Sequence, residues 1–291
     1  MIDLHTHSNA SDGDLSPAEL IAAAANQGLS AIALTDHDTI KGLKSAEETA
    51  EKYSIRFIPG IEMEIAWPAA HGDFHLLGLG LTQPSPAFLD AVDSLARSRE
   101  TRNLEILKRL RGLGIRTDYE EVRSFSGGGS IGRPHFAALL VSRGLVKNHE
   151  QAFTRYLGRG KRLFVPKQAL TFDRAAALIK ESGGIAVLAH PMSLYIAWGR
   201  LPGFVRGLKE QGLDGLEAWH PTAKSRSCKR LEVLGRSLGL YVTEGSDFHG
   251  EARPNRKLGH SAEDRQIGDS VLEAIPKLCP SPLHDPVLKI S

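Results

Sequence analysis

Short apolar runs that stop abruptly at polar residues recur along the chain. Residues 2–4 run into His5 and His7, 31–35 (AIALT) into Asp36, His37 and Asp38, and 56–59 (RFIP) lead to Glu62 and Glu64. Residues 74–79 carry His75, 185–189 (IAVLA) stop at His190, 215–218 lead to His220, and 240–243 lead to Asp247 and His249. Runs that are apolar without alternation suit strands buried on both faces of a parallel sheet. Between many of them the apolar period lengthens to that of a helix. The clearest case is 17–27 (PAELIAAAANQ), where Ser16 can cap, Pro17 suits the first turn, Glu19 completes a capping box and Gly28 supplies a stop. Thr171 and Asp173 open a helix running to 182, and 39–52 and 225–238 also read as helices.

Alternation of strands and helices predicts an α/β fold with a parallel sheet. Seven strand candidates favour a barrel over an open sheet. No G-x-G-x-x-G follows the first strand, which weighs against a dinucleotide fold. The connection from 59 to 74 is too short for a full helix, so the barrel is expected to be irregular there. Residues 90–166 break the rhythm: 90–113 form one long amphipathic helix candidate, and SFSGGGSIGRP at 124–134 interrupts the helical pattern. The expected organisation is a barrel built from 1–89 and 167–291, with 90–166 a helical insert between its fourth and fifth strands.

Composition adds limits. A length of 291 residues fits one barrel-sized domain with an insert, and 41% hydrophobic residues exclude intrinsic disorder. Two cysteines, Cys228 and Cys279, exclude a disulfide framework or a cysteine zinc site. No apolar run approaches the ~18 residues of a membrane span, and the first residues do not read as a signal peptide. A cytoplasmic enzyme is the expectation. The net charge is only +2, yet 16 of the 36 basic residues and 6 of the 34 acidic ones fall within 97–167. Such a segment is either a solvated helix face or a surface for phosphates or nucleic acid.

The candidate chemistry lies in the polar residues at strand ends, where barrel enzymes keep their active sites. In a strand, i and i+2 share a face, so His5 and His7 can converge on one ion, and Asp247 with His249 repeats that spacing. With Asp12, His37, Glu62, His75 and His190 the set reaches nine candidate ligands, including six of the chain's 12 histidines. Nine is too many for one ion and suits two or three. Imidazole nitrogen with carboxylate oxygen fits zinc, manganese or iron. Two ions ~3.5–4 Å apart can neutralise phosphoryl oxygens, lower the pKa of a bridging water and stabilise a leaving alkoxide. Glu62 is suited to bridging because a carboxylate offers two oxygens. Asp36 and Asp38 flank His37; they can orient ligands or shuttle a proton, and Asp38 can equally cap a helix starting at 39.

The order H-x-H with a following Asp, T-D-H-D, G-I-E, a mid-chain His, A-H-P and D-x-H resembles the PHP (polymerase and histidinol phosphatase) family, over about 1–80 and 170–260. The resemblance implies a distorted seven-stranded (β/α)7 barrel, amidohydrolase-like, with up to three divalent ions and manganese the first choice. It implies that His5, His7 and Asp247 hold one ion, His75 and His190 a second with Glu62 between them, and Asp12, His37 and His249 a third. Glu62, Asp36 and His37 are the expected catalytic group.

The insert carries G-R-P-H-F-A from Gly132 and G-R-G-K-R from Gly158, where glycines beside cations let amides and side chains approach a phosphate together. It resembles one PHP branch, the 3′,5′-nucleoside bisphosphate phosphatases and 5′-to-3′ exoribonucleases on short RNA. That implies removal of the 3′-phosphate from a bisphosphate to leave a 5′-monophosphate, with Arg133, His135, Arg159 and Lys161 gripping the phosphate that is not cleaved. The alternatives are exonuclease action on short 5′-phosphorylated RNA and histidinol-phosphate phosphatase activity; a cationic amine suits the basic insert poorly. A nucleotide or short RNA is the expected partner, with no membrane and no obligate protein. His220 can line the barrel mouth or sit in core or surface, Trp67, Trp198 and Trp219 read as packing residues able to stack on a base, and His71, His149, His260 and His284 read as surface residues.

Overall fold

The computed structural model describes residues 1–67, 72–126, 129–166 and 168–278; His71, His284 and Cys279 lie outside them. Seven strands form one sheet in chain order: β1 (Ile2–Asp3), β2 (Ala31–Leu34), β3 (Arg56–Glu64), β4 (His75–Leu79), β5 (Ile185–Leu188), β6 (Gly215–Trp219) and β7 (Tyr241–Glu244). Beyond β1 and β7 the ends meet. Thr6 bridges Phe248 in parallel, the His7 amide donates to Phe248 O at 2.9 Å, and the Asp247 amide donates to His5 O at 2.8 Å. The sheet is a nearly closed barrel.

Side-chain alternation fills the barrel on one face and packs helices on the other. Ala31 and Ala33 join Leu77, Leu79, Ile185 and Val187 in an interior cluster. Ile32 and Leu34 pack outward among residues of α1 (Pro17–Asn26) and α2 (Leu43–Tyr53). The capping box expected at Ser16 and Glu19 is present.

The expectation of a parallel sheet needs correcting at one strand. β4 runs antiparallel to both β3 and β5, while every other pair is parallel. A parallel return needs a crossover of a dozen or more residues, and the link between Glu64 and His75 is shorter than that, so the chain doubles back. Pairing with β4 also extends β3 to Glu64, so Glu62 and Glu64 lie within the strand instead of beyond it. α2 begins at Leu43, not at 39. Asp38 does not cap it. The residue sits in the left-handed region (φ 52°), its Oδ1 accepts from the Glu64 amide at 3.2 Å, and its Oδ2 pairs with Arg99 at 2.5 Å.

α3 (Pro86–Gly112) starts before the expected boundary and links two cores. Phe88 and Val92 pack with the barrel cluster, whereas Ile106, Leu107 and Leu110 pack in a separate cluster. That second cluster takes in α4 (Tyr119–Ser124), α5 (Arg133–Ser142), α6 (His149–Ala152) and a π-helical turn at Phe153–Leu157. The chain returns to the barrel through α7 (Phe172–Glu181), then adds α8 (Leu201–Glu210) after β5 and α9 (Ser225–Ser237) after β6. No helix among the described residues is long and apolar enough to cross a membrane.

Candidate metal centre

The strand ends bring the nine candidate ligands into one buried group at the barrel mouth. His5, His7 and Asp247 have ligand atoms within 4.8 Å of one another, and so do His37, Glu62 and His75, and His7, Asp12, His37 and His249. Glu62 lies among them. Its Oε1 is 2.9 Å from both His75 Nδ1 and His190 Nε2, and its Oε2 is 3.0 Å from His37 Nδ1 and 3.3 Å from His7 Nε2. One oxygen thus faces each of two histidine groups. Backbone strain sits at the same place: His190 (φ 25°) and Asp247 (φ 51°), like Asp38, adopt positive φ that only glycine takes at no steric cost.

Three tests of fit to metal ions come from the geometry. Among the described residues His7 Nδ1, Glu62 Oε2 and His249 Nε2 are buried and make no well-aligned hydrogen bond, although His37 Nδ1 lies 3.0 Å from Glu62 Oε2 and Asp12 Oδ1 lies 3.3 Å from His249 Nε2. A native interior rarely leaves such atoms unsatisfied unless an ion or water meets them. His5 Nε2 and His7 Nε2 face each other at 3.1 Å, and His75 Nδ1 and His190 Nε2 at 3.3 Å. Two ring lone pairs that close need a proton or a cation between them. The donor set, nitrogen with carboxylate oxygen, suits a borderline divalent ion. The residues fit.

Neighbouring groups fix which ring nitrogen faces the centre. His5 Nδ1 donates to Glu217 Oε1 at 2.9 Å, which leaves Nε2 inward. His249 Nδ1 donates to Asp247 O at 2.7 Å, and His190 Nδ1 meets Ser193 Oγ at 2.8 Å. Asp247 points Oδ1 toward His7 at 3.2 Å, while its Oδ2 is held by His220 Nε2 at 3.1 Å, by Arg253 at 3.3 Å and by Arg256. Glycine is required at 245, because a Cβ there would strike His5 Cβ and come within 2.8 Å of Glu217 Oε1.

Charge is tuned strongly in this group. Burial alone would depress His5 and His7. The carboxylates Glu217, Glu62 and Asp247 outweigh it at His5 and raise that ring well above its usual value, while Asp247 and Glu62 push His7 up to about 9. His37 and His249 go the other way, down to about 3 and about 4, with burial the main cause. Burial opposes ionisation of Glu62, but His37, His75 and His5 hold it well below the carboxylate range. For Asp12, His249 and His37 overcome burial in the same way.

The other expected site residues are placed differently. Asp36 is buried outside the ligand group. Its Oδ1 accepts from the Ser8 amide at 2.8 Å and Ser11 Oγ at 2.6 Å, and its Oδ2 from Ser8 Oγ at 2.6 Å, which ties down the loop that presents Asp12. His135 is buried, and its Nδ1 accepts from the Gly132 amide at 2.9 Å, closing the first turn of α5. Arg133 and Arg159 line a cleft of about 580 Å³ between barrel and insert, with Trp67, Phe153 and Phe164 as further walls. Lys161 is exposed and is not part of that wall. His220 is buried against Asp247.

Several residues carry no obvious sequence signal. Arg102 lines the same cleft yet is only 5% exposed, and among the described contacts its guanidinium bonds only to Asn103 Oδ1, at 3.1 Å. Burial and the neighbouring Arg99 and Arg133 lower its pKa. Arg99 donates to His37 O at 3.1 Å as well as to Asp38. The i, i+3 spacing of Arg99 and Arg102 on α3 was the available clue. For Glu217, the clue was an acid inside a continuously buried strand.

Known proteins extend this picture. The model of the PHP domain matches residues 3–166. A 5′-3′ exoribonuclease of Haemophilus influenzae is 36% identical over 85% of this chain and 89% of its own. A 3′,5′-nucleoside bisphosphate phosphatase of Chromobacterium violaceum is 32% identical over 90% of this chain and 92% of its own. Among solved structures, a C. violaceum amidohydrolase with bound sulfate and no metal superposes with a TM-score of 0.81 at 31% identity, covering 94% of this chain and 96% of that one. A Bifidobacterium adolescentis protein described as a metal-dependent phosphoesterase gives a TM-score of 0.81 at 26% identity, over 95% and 96%. With the barrel, the histidine and carboxylate cluster and these likenesses together, the chain belongs to the PHP family of metal-dependent phosphoesterases.

Proposed function

We propose that this phosphoesterase hydrolyses the 3′-phosphate of nucleoside 3′,5′-bisphosphates, leaving a nucleoside 5′-monophosphate and phosphate. Residues 90–166 act as the cap that binds the substrate. The observation that carries the reading is the cleft where Arg102, Arg133 and Arg159 outnumber the carboxylates Glu64 and Asp73 on its wall, and where the buried Arg102 bonds, among the described residues, to the Asn103 amide oxygen and to no carboxylate. A buried guanidinium with no carboxylate bonded to it is costly, and a bound phosphate removes the cost. The walls of Trp67, Phe153 and Phe164 suit a nucleobase, and a volume of about 580 Å³ is the right size for a nucleotide.

His5, His7, Asp12, His37, Glu62, His75, His190, Asp247 and His249 would hold two or three divalent ions, manganese foremost. When bound, the ions neutralise phosphoryl oxygens and supply a more acidic water. The chain's own groups do the rest. Glu217, Ser193 and Asp247 O hold the His5, His190 and His249 rings with one nitrogen inward, and the insert arginines fix the 5′-phosphate so that the 3′-phosphorus sits over the cluster. Water oxygen joins phosphorus as the P–O3′ bond breaks, one of the water's protons ends on O3′, which leaves as a hydroxyl, and the other stays with the released hydrogen phosphate.

The same bond is broken when the 3′-phosphate continues into a chain, so exonuclease action on 5′-phosphorylated RNA is the second reading. The name of the H. influenzae relative favours it. Release of AMP from adenosine 3′,5′-bisphosphate in manganese, beside histidinol phosphate, AMP and a short 5′-phosphorylated RNA, tests both. Fast turnover of the bisphosphate supports the first reading, preference for the RNA supports the second, and turnover of neither removes both.

A further inference from the structure

The outer wall formed by α8 and α9 carries features that catalysis does not use. Among the described residues the two most exposed large hydrophobics are Tyr195, at 83%, and Val233, at 68%, and both belong to this side of the barrel. Tyr195 lies five residues after His190, directly behind a 3-10 turn at Pro191–Leu194, and holds a left-handed backbone (φ 52°). A bulky side chain in that conformation with its ring mostly in water, its Cδ2 edge against Gly72, is strain with little packing in return. Val233 lines a cleft of about 660 Å³ between the two helices, with Trp198, Arg226, Lys229 and Arg230. The Arg230 guanidinium lies 3.8 Å above the Trp198 ring. Among the described residues no acidic one lines the cleft; Glu232 of α9 is turned to Trp219 and Arg236.

The cleft is connected to the centre by the topology. α8 and α9 follow β5 and β6, so their N-terminal ends lie on the side of the barrel that holds the ligands. His220, bonded to Asp247, is six residues before Arg226, and a turn from the Ala223 amide to His220 O shortens that path. From Arg226 the lining descends α9 to Ser237, about 16 Å at ~1.5 Å per residue.

We propose that this face is a track for single-stranded RNA, binding the nucleotides on the 3′ side of the scissile phosphate. Arg226 and Lys229 neutralise backbone phosphates, while Tyr195 and the Trp198–Arg230 stack offer platforms to bases, the combination that holds single strands without reading their sequence. The inference rests on the phosphoesterase reading above and extends it: a mononucleotide bisphosphate has nothing to place here, and an oligonucleotide does.

The test compares the manganese-loaded wild type with an Arg226→Glu/Lys229→Glu double variant. Both positions are exposed, and neither belongs to the metal cluster or the arginine cleft. The expected result is a fall of about tenfold or more in kcat/KM on a 5′-phosphorylated RNA decamer, with adenosine 3′,5′-bisphosphate unaffected. The salt dependence on the decamer should flatten by ~0.7 in log–log slope for each cation lost. Tyr195→Asn, which suits the left-handed backbone, should weaken decamer binding severalfold while raising the melting temperature. Equal effects on decamer and bisphosphate, or none on the decamer, overturn the track. Fluorescence anisotropy with a labelled RNA lacking a 5′-phosphate separates the two levels of failure. If the wild type cleaves no substrate yet binds this RNA and the double variant does not, the track stands and the catalytic reading falls. If a labelled oligoglutamate peptide binds the same face as tightly as RNA, its occupant is an acidic protein segment and the RNA assignment is wrong.

Discussion

Glu217→Gln removes one oxygen's worth of charge and changes no volume, yet should disable one ion position. Glu217 Oε1 accepts from His5 Nδ1 at 2.9 Å, and Oε2 accepts from the His190 amide at 2.7 Å. Glutamine has only one acceptor oxygen. If it serves His5, its NH2 group points at the His190 N–H, and a buried amide loses its bond at a cost of ~1–3 kcal/mol. If it serves His190, its NH2 donates to His5 Nδ1; the His5 proton then moves to Nε2, and the ring can no longer ligate. Removing the acceptor behind a ligating histidine typically costs ~10–100-fold in metal affinity, about 1.4–2.7 kcal/mol. Manganese competition against a fluorescent chelator measures the loss directly, and the melting temperature with and without manganese separates it from simple unfolding. Affinity within twofold of wild type, with an unchanged manganese-dependent rise in melting temperature, would refute the reasoning. Gly245→Ala, which drives a methyl group into the same His5 and Glu217 pair, should act in the same direction.

Titration gives two further predictions. Because His5 is raised and His7 pushed to about 9, manganese binding near neutral pH should release at least one proton per chain, seen by calorimetry in buffers of different ionisation enthalpy. Release of none contradicts the charge assignment. In the metal-free protein the raised His7 contributes stability that is full below its ordinary 6.5 and lost as pH rises through about 9. By linkage the loss is ~3 kcal/mol, so the metal-free melting temperature should fall from pH 7 to 9.5 while that of the manganese-loaded protein stays nearly level. Arg102→Met should stabilise the fold, since it removes a buried cation that no carboxylate among the described residues bonds, while raising KM for adenosine 3′,5′-bisphosphate about tenfold or more. Equal KM in the variant would take Arg102 out of substrate binding.

The barrel and its ligand cluster could be read from the sequence because their signals are local. H-x-H and D-x-H put two side chains on one face by strand geometry alone, and abrupt polar endings after apolar runs mark the mouth of a barrel. The features that escaped depend on distant partners. The reversal of β4 comes from pairing along the full length of β3, not from anything in residues 75–79. Glu217 stands out as an acid in an apolar strand, but its role depends on His5, brought beside it from the other end of the chain. Arg99 and Arg102 share a face of α3 by their i, i+3 spacing, but nothing in α3 itself shows that the barrel mouth covers that face. Charge, glycine context and the branch resemblance pointed to His135 and Lys161, whereas folding turns the first toward the Gly132 amide and leaves the second in solvent.

A cluster of ions built around Glu62 underlies the proposed chemistry. Anomalous diffraction at the manganese edge from crystals grown with manganese, paired with elemental analysis of the same preparation, addresses it directly. Two or three ions per chain are expected, two of them on either side of Glu62 and a third, where present, beside Asp12, His37 and His249. A single ion, or peaks that do not touch Glu62, would contradict it.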